Sequence, residues 1–195
     1  WQEEQLLNGL GDLYDQGLIK EIGLSNTGPK RLNYLYQKLQ RRGIKIKSIQ
    51  IQFSLLTRPS LEDEKIKNIC IENNIEYLAY SPLALGVLTI PPNKSPKPST
   101  FLRQKLFQTT LPKTNDLRKL LTKIGQNYSA SQAQVALNWV RSHGAKPIVG
   151  IRNPSQAKDA TSALNWSLTK NEKEKLDSFR NECLTYMPKN PFISP

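Results

Sequence analysis

Residues 1–195 read as an α/β protein whose parallel strands are joined by helices, and two features predict this. The first is that four short apolar segments each stop on polar residues: Ile22-Gly23-Leu24-Ser25-Asn26, Ser48-Ile49-Gln50-Ile51-Gln52, Leu78-Ala79-Tyr80-Ser81-Pro82-Leu83 and Pro147-Ile148-Val149-Gly150-Ile151-Arg152. The second is that segments with apolar residues at helical spacing lie between them, and strands alternating with helices call for parallel pairing with right-handed crossovers. In a barrel built this way all strand C-termini open on one face, where ligands bind. Four strands would be either a whole small sheet or half of such a barrel.

Each element has its own signal. Leu6, Leu7, Leu10 and Leu13 recur at helical spacing over 2–16, and Gly17 follows where a helix C-cap is wanted. Residues 18–24 form a short apolar run, as a buried parallel strand should. Pro29 suits the first turn of a helix that carries Leu32, Leu35, Tyr36 and Leu39 and ends before Gly43. A second strand is expected over 47–53. A helix from Ser60 to Asn73 starts with Asp63 three residues after the cap, and a third strand covers 75–80. From Leu83 to Leu111 the rhythm breaks: Pro91, Pro92, Pro96 and Pro98, among Asn93, Lys94, Ser95, Lys97 and Ser99, predict a long loop, and long loops in compact domains are often functional. Helices are expected over 115–124 and 131–141, the latter with Val135, Ala136, Trp139 and Val140 on its apolar face. The fourth strand is expected over 147–151, followed by a helix from Pro154 and a last one from Thr169, where Thr169 and Glu172 match a capping box. Residues 1–182 are read as one domain. Residues 183–195, with three prolines, read as an extended, poorly ordered tail.

Composition narrows the classes. A hydrophobic content of 37% with 23% charged residues is that of a soluble globular protein. The formal net charge of +12 invites a polyanionic partner, but the basic residues are scattered rather than gathered into a stripe with aromatics, so nucleic acid is not expected and a Lys-rich solvated surface is. No apolar run of about 18 residues and no signal-like start is present, so the expectation is a cytoplasmic chain without a membrane partner. The first residue is Trp1 rather than Met, and a helix already begins at Gln2, so a truncated start is expected. Cys70 and Cys183 lack metal-type spacing and read as buried thiols, with no metal site. No Gly-x-Ser-x-Gly elbow or Walker loop occurs. Ser25-Asn26-Thr27-Gly28 lacks the glycine spacing of a dinucleotide-binding Rossmann turn.

Four blocks carry a more specific resemblance: Ile22 to Asn26, Gln50 to Arg58, Tyr80 to Thr89, and Gly150 to Ala160. In this order and at this spacing the chain resembles the C-terminal half of an aldo-keto reductase. The resemblance spans about residues 2–180. It implies a (β/α)8 TIM barrel, of which this chain is the C-terminal half-barrel with strands five to eight, and an NADP cofactor extended across the C-terminal face. It implies that Ser25, Asn26 and Gln50 hold the nicotinamide carboxamide, whose acceptor oxygen and two N–H donors suit hydroxyl and amide partners. It implies that Tyr80 stacks on the nicotinamide and that Ser81, Pro82, Leu83, Ala84 and Leu85 form the loop around the pyrophosphate. Gly150 and Arg152 match the loop beside the adenosine 2′-phosphate, where a guanidinium favours NADPH over NADH. Gln156, Asp159 and Ala160 match positions around the adenine and its ribose.

Two departures accompany the resemblance. Ala160 stands where the family usually has an adenine-binding Asn. Ile90-Pro91-Pro92 replaces the family's Gly-Lys-Tyr, which removes a cofactor-clasping Lys that Lys94 or Lys97 could replace. The family's proton-donating Tyr and the Lys, Asp and His that tune it belong to the first half of the barrel, so no catalytic residue is expected here. The lone His143 reads as an exposed or capping residue at a helix end. The expected function is therefore the cofactor-binding portion of an NADPH-dependent reductase of small carbonyl substrates, inactive without the N-terminal half of the same barrel. The competing readings are a non-enzymatic NADP-binding or regulatory half-barrel and a small open α/β domain that pairs through its own sheet edges.

Overall fold

The computed structural model describes residues 2–188. Its elements run α1 (Gln2–Asp15), β1 (Ile22–Ser25), α2 (Pro29–Gln40), β2 (Ile46–Gln52), α3 (Leu61–Glu72), β3 (Glu76–Tyr80), α4 (Phe101–Thr110), α5 (Asn115–Asn127), α6 (Gln132–Ser142), β4 (Lys146–Ile148), α7 (Pro154–Ser162) and α8 (Lys170–Asn181). Tight 3-10 turns occupy Ala84–Thr89, Pro112–Thr114 and Ala163–Asn165. The four parallel strands form one sheet in the order β1-β2-β3-β4, with a helix or helices after each strand. By internal packing the described residues divide into two compact units, the first made of 2–51 with 60–78, the second of 52–59 with 79–188.

In the first unit β1 and β2 pair in parallel, with Leu24 opposite Ile49 and Ser25 opposite Gln50, and the register shifts between Ile22 and Gly23. A Cβ on Gly23 would lie 2.7 Å from the Ser48 hydroxyl, so a side chain there would require that hydroxyl to turn away. Helix α2 buries Leu32, Leu35 and Leu39, and α3 buries Ile66, Ile69 and Cys70 after Ser60 caps it by accepting from the Asp63 N–H at 3.1 Å. Burial pushes the Cys70 thiol up to about 11, so it is protonated at neutral pH. Helix α1 differs from its sequence reading. Leu6 and Leu13, expected in an apolar stripe, are 63% and 40% exposed, and the helix is tied to α2 by charge instead: Arg31 to Glu3 at 2.6 Å, Lys38 to Glu4 at 3.3 Å, and Arg42 to Asp12 and Asp15 at 3.0 and 2.5 Å. Exposed pairs of this kind are screened by solvent and salt and add little to stability.

The second unit is built around α6, whose residues from Gln134 to Val140 are all buried. Trp139, fully buried, stacks on Phe53 at 5.1 Å and donates its Nε1–H to Asp177 on α8 at 2.8 Å. His143 is the C-cap residue of α6; it is half-buried rather than exposed, and its Nε2 lies 2.9 Å from the same Asp177 carboxylate. Arg180 reaches over the Phe53 and Trp139 rings, at 5.4 and 5.6 Å, and donates to the Thr57 carbonyl at 2.9 Å. Cys183 is half-buried, not buried as its sequence context suggested, and donates to the Thr185 carbonyl. Residues 183–188 have no regular structure, as expected of the tail, yet they are held: the Met187 N–H donates to the Leu56 carbonyl at 2.7 Å, and Tyr186 packs under Arg58. The rest of the expected tail, 189–195, lies outside the described residues.

The long loop expected over 83–111 is the main correction. Its prolines all precede residue 99, and the segment Phe101–Thr110 has neither Pro nor Gly, so α4 forms there. The proline segment is itself pinned. Arg118 of α5, fully buried, donates to the carbonyls of Ile90 at 3.1 Å, Pro91 at 2.6 Å and Leu111 at 2.9 Å. Strand β4 is also shorter than expected, ending at Ile148, so residues 149–152 are free of the ladder and form a loop.

Candidate cofactor-binding site

The loop after β3 begins the site. Ser81, Ala84 and Leu85 all have positive φ, at 52°, 50° and 54°, and Gly86 follows at 96°. Left-handed backbone costs a non-glycine residue about 1–2 kcal/mol, and strain of this kind gathers where a loop is shaped for a ligand. Gly86 has no alternative: beyond its φ, a Cβ there would lie 2.9 Å from Nη2 of Arg103. The loop is held by Arg103 Nη2 donating to the Leu85 carbonyl at 2.9 Å and by the Thr89 hydroxyl donating to the Gly86 carbonyl at 2.8 Å.

The loop after β4 and the start of α7 form the opposite wall. Asn153 caps α7 by accepting from the Gln156 N–H at 2.9 Å, with Pro154 in the first turn. The Gln156 side chain turns back to accept from the Arg152 N–H at 2.9 Å, which fixes the backbone of Arg152 while its side chain stays exposed. Asp159 accepts from the Ser131 hydroxyl and from Gln134 Nε2, each at 2.7 Å. Gln134 in turn accepts from the Trp166 indole at 3.1 Å, so the carboxylate is fixed by α6.

Between these walls lies a cavity of about 540 Å³. Of the residues expected at the site, Ser81, Pro82, Leu83, Leu85, Gly150, Arg152, Gln156, Asp159 and Ala160 line it. Tyr80 and Ala84 do not: Ala84 is fully buried beneath the loop, and Tyr80 ends β3, where its carbonyl accepts from the Phe53 N–H. The lining also contains residues that the sequence reading missed, among them Arg103, Thr89 and Ala133. Arg103 was hidden because its helix had been read as loop. Lys94 and Lys97, the expected substitutes for the missing loop lysine, do not line this cavity. A second cavity of about 560 Å³ is lined by Arg141, Lys146, Leu164 and mostly apolar neighbours, and Ala160 alone of the expected residues reaches it.

In the first unit Ser25, Asn26 and Gln50 are joined through the main chain. The Asn26 N–H donates to the Gln50 carbonyl at 2.9 Å and the Ser25 hydroxyl donates to it at 3.4 Å, while Asn26 is left-handed at φ 53°. The strand pairing of Ser25 with Gln50 thus brings the neighbours Ser25 and Asn26 beside a residue 25 positions on from Ser25. Among the described residues no group of three or more His, Cys, Asp or Glu side chains could hold a metal ion, and no helix is long and apolar enough to cross a membrane.

The donors around the cavity of about 540 Å³ suit an anionic ligand. Arg152 and Arg103 face one cavity and, among the described residues, neither is paired with a carboxylate, while Asp159 is occupied by its own donors. The buried Nε of Arg103 meets no acceptor. In comparison with known proteins, residues 2–181 match the model of the Aldo/keto reductase family. The chain belongs to that family. The aldo-keto reductases it resembles include pyridoxal reductase of Arabidopsis thaliana, 38% identical over 98% of this chain and 52% of the relative, and an aldo-keto reductase of Strobilurus tenacellus, 30% identical over 87% and 51%. Among solved structures the glycerol dehydrogenase of Gluconobacter oxydans shares the fold with a TM-score of 0.77 at 24% identity, over 97% of this chain and 57% of that one. The chain spans about half the length of the curated relatives it matches. Aldo-keto reductases as a family are oxidoreductases that generally use nicotinamide cofactors.

Proposed function

We propose that residues 1–195 are the NADP-binding portion, strands five to eight, of an aldo-keto reductase that reduces an aldehyde or ketone to the alcohol. The observation that carries this is the cavity between the strained Ser81–Gly86 loop and the Arg152 loop, which presents two guanidiniums to one ligand. When bound, the reduced nicotinamide supplies hydride to the carbonyl carbon, and the carbonyl oxygen takes a proton. The chain's own residues bind and orient. Arg152 offers a bidentate partner to a 2′-phosphate, which favours NADPH over NADH. Ser81 and the loop N–H groups would hold the pyrophosphate, and Ser25, Asn26 and Gln50 carry the hydroxyl and amides that would suit the carboxamide. With Ala160 in place of Asn, adenine loses a side-chain partner, so the phosphates carry more of the affinity.

By the family resemblance, proton donation falls to a Tyr of the barrel's N-terminal half and not to residues 1–195. Since one relative is named a pyridoxal reductase, an aromatic aldehyde of that type is the first substrate to test. The test is NADPH titration by fluorescence together with NADPH oxidation on pyridoxal and a generic aldehyde. The complete protein is expected to bind and turn over, and residues 1–195 alone to show no turnover. Failure of the complete protein to bind NADPH overturns the cofactor reading. Cofactor-dependent turnover by residues 1–195 alone overturns the division of roles.

A further inference from the structure

The proline segment over 91–99 contributes nothing to the cavity of about 540 Å³. It walls another. A separate cavity of about 340 Å³ lies between that segment and α4, and it shares no lining residue with the larger one. Pro96, Pro98 and Pro112 with the buried Phe107 form its apolar walls. These walls are set before any ligand arrives: Gln104 of α4 donates to the Pro98 carbonyl at 2.8 Å, the Asn93 N–H donates to Asn115 Oδ1 at 2.8 Å, and Arg118 holds the Ile90 and Pro91 carbonyls. A wall already fixed loses little freedom on binding, and the volume falls within the range of about 300–1,000 Å³ usual for small-molecule sites.

The lining also has a charge. Lys97 is its one ionic residue and no carboxylate belongs to it. Lys97 and Gln108 are both exposed, and among the described residues neither makes a hydrogen bond or an ion pair, so an ammonium and an amide stand ready at the rim. We propose that this cavity is a second small-molecule site, whose ligand is a flat aromatic carboxylate. The electron-rich face of an aromatic ring suits the C–H groups of the proline rings, and the edge of Phe107 or its face can meet it in an offset or edge-on pair. The carboxylate then lies toward Lys97 and Gln108, where a charge-assisted hydrogen bond and an amide N–H can both reach it. The proposal does not rest on the cofactor reading, because the two cavities have separate walls.

The test is calorimetric titration of the complete protein with three probes of similar size: 2-naphthoate, its neutral analogue 2-naphthamide, and the saturated decahydro-2-naphthoate. A dissociation constant of about 1 mM or tighter is expected for 2-naphthoate, by the binding energy usual per ligand atom. The amide and the saturated acid should each bind about threefold or more weakly. Lys97→Gln should weaken 2-naphthoate about threefold and Lys97→Glu about tenfold, with the amide unaffected by either. Pro96→Ala should weaken all three probes, since it removes a wall. Both positions are exposed, and thermal melting checks that the variants fold. Absence of saturable 2-naphthoate binding below about 10 mM overturns the proposal. So does binding that survives unchanged in folded Lys97→Glu and Pro96→Ala, or that NADPH displaces, because the probe then sits elsewhere. Equal affinity for the amide rejects the anionic ligand class, and equal affinity for the saturated acid rejects the aromatic one.

Discussion

At the residue scale the site depends on where charge is left uncompensated. Arg152 has its backbone fixed by Gln156 and its side chain exposed, so its head group is available to a ligand. Arg152→Ala should weaken NADPH about ten- to hundredfold while leaving NADH nearly unchanged, as competitive titration of the complete protein will show. Asp159 is the converse case. Both of its oxygens are engaged by Ser131 and Gln134, so its first role is to join α7 to α6, and a contact to ribose would have to share those acceptors. His143, which sequence alone left as a helix-end residue, proves to be one of two donors around Asp177, with Trp139 the other.

Helix ends and the proline segment show how elements are secured. Thr169 and Glu172 form a full capping box, and Glu172 also accepts from Tyr128 at 2.8 Å. Burial pushes the Glu172 carboxyl upward, but the bonds from Thr169, Tyr128 and Asn127 outweigh it and hold the group below its ordinary value of 4.5. A depressed folded-state value means stability that is fully present above 4.5 and lost as pH falls through the lower value. Glu172→Gln should therefore lower the urea midpoint at neutral pH, and the difference from wild type should vanish in acid. The proline segment depends on Arg118, whose burial lowers its own pKa while it serves three carbonyls. Arg118→Ala should cost about 3 kcal/mol in urea unfolding, because those carbonyls lose their donor inside the core. The capping box was legible in the sequence since its two residues are three apart. The Arg118 clamp was not, since its acceptors are backbone atoms up to 28 residues away.

Across the whole molecule the formal net charge of +12 places a positive field around a site proposed for a polyanion. The association rate of NADPH, read by stopped flow, should fall severalfold between low salt and about 0.5 M salt, with a smaller fall for NADH. What the sequence determined by itself was the succession of strands and helices, the caps, and the four strand-end blocks that mark the family, because each is encoded by residues near one another in the chain. It overextended the loop through Phe101–Thr110, since prolines signal where regular structure stops but not where it resumes. Only the tertiary structure decided which expected residues share a cavity, that Tyr80 and Ala84 stay out of its lining, and that Arg103 enters it. The physical reason is that a cavity is made by backbone turns and by side chains from elements far apart in sequence. The reach of Arg103 back to the Leu85 carbonyl joins α4 to the left-handed run at Ala84, Leu85 and Gly86 across 18 residues of sequence.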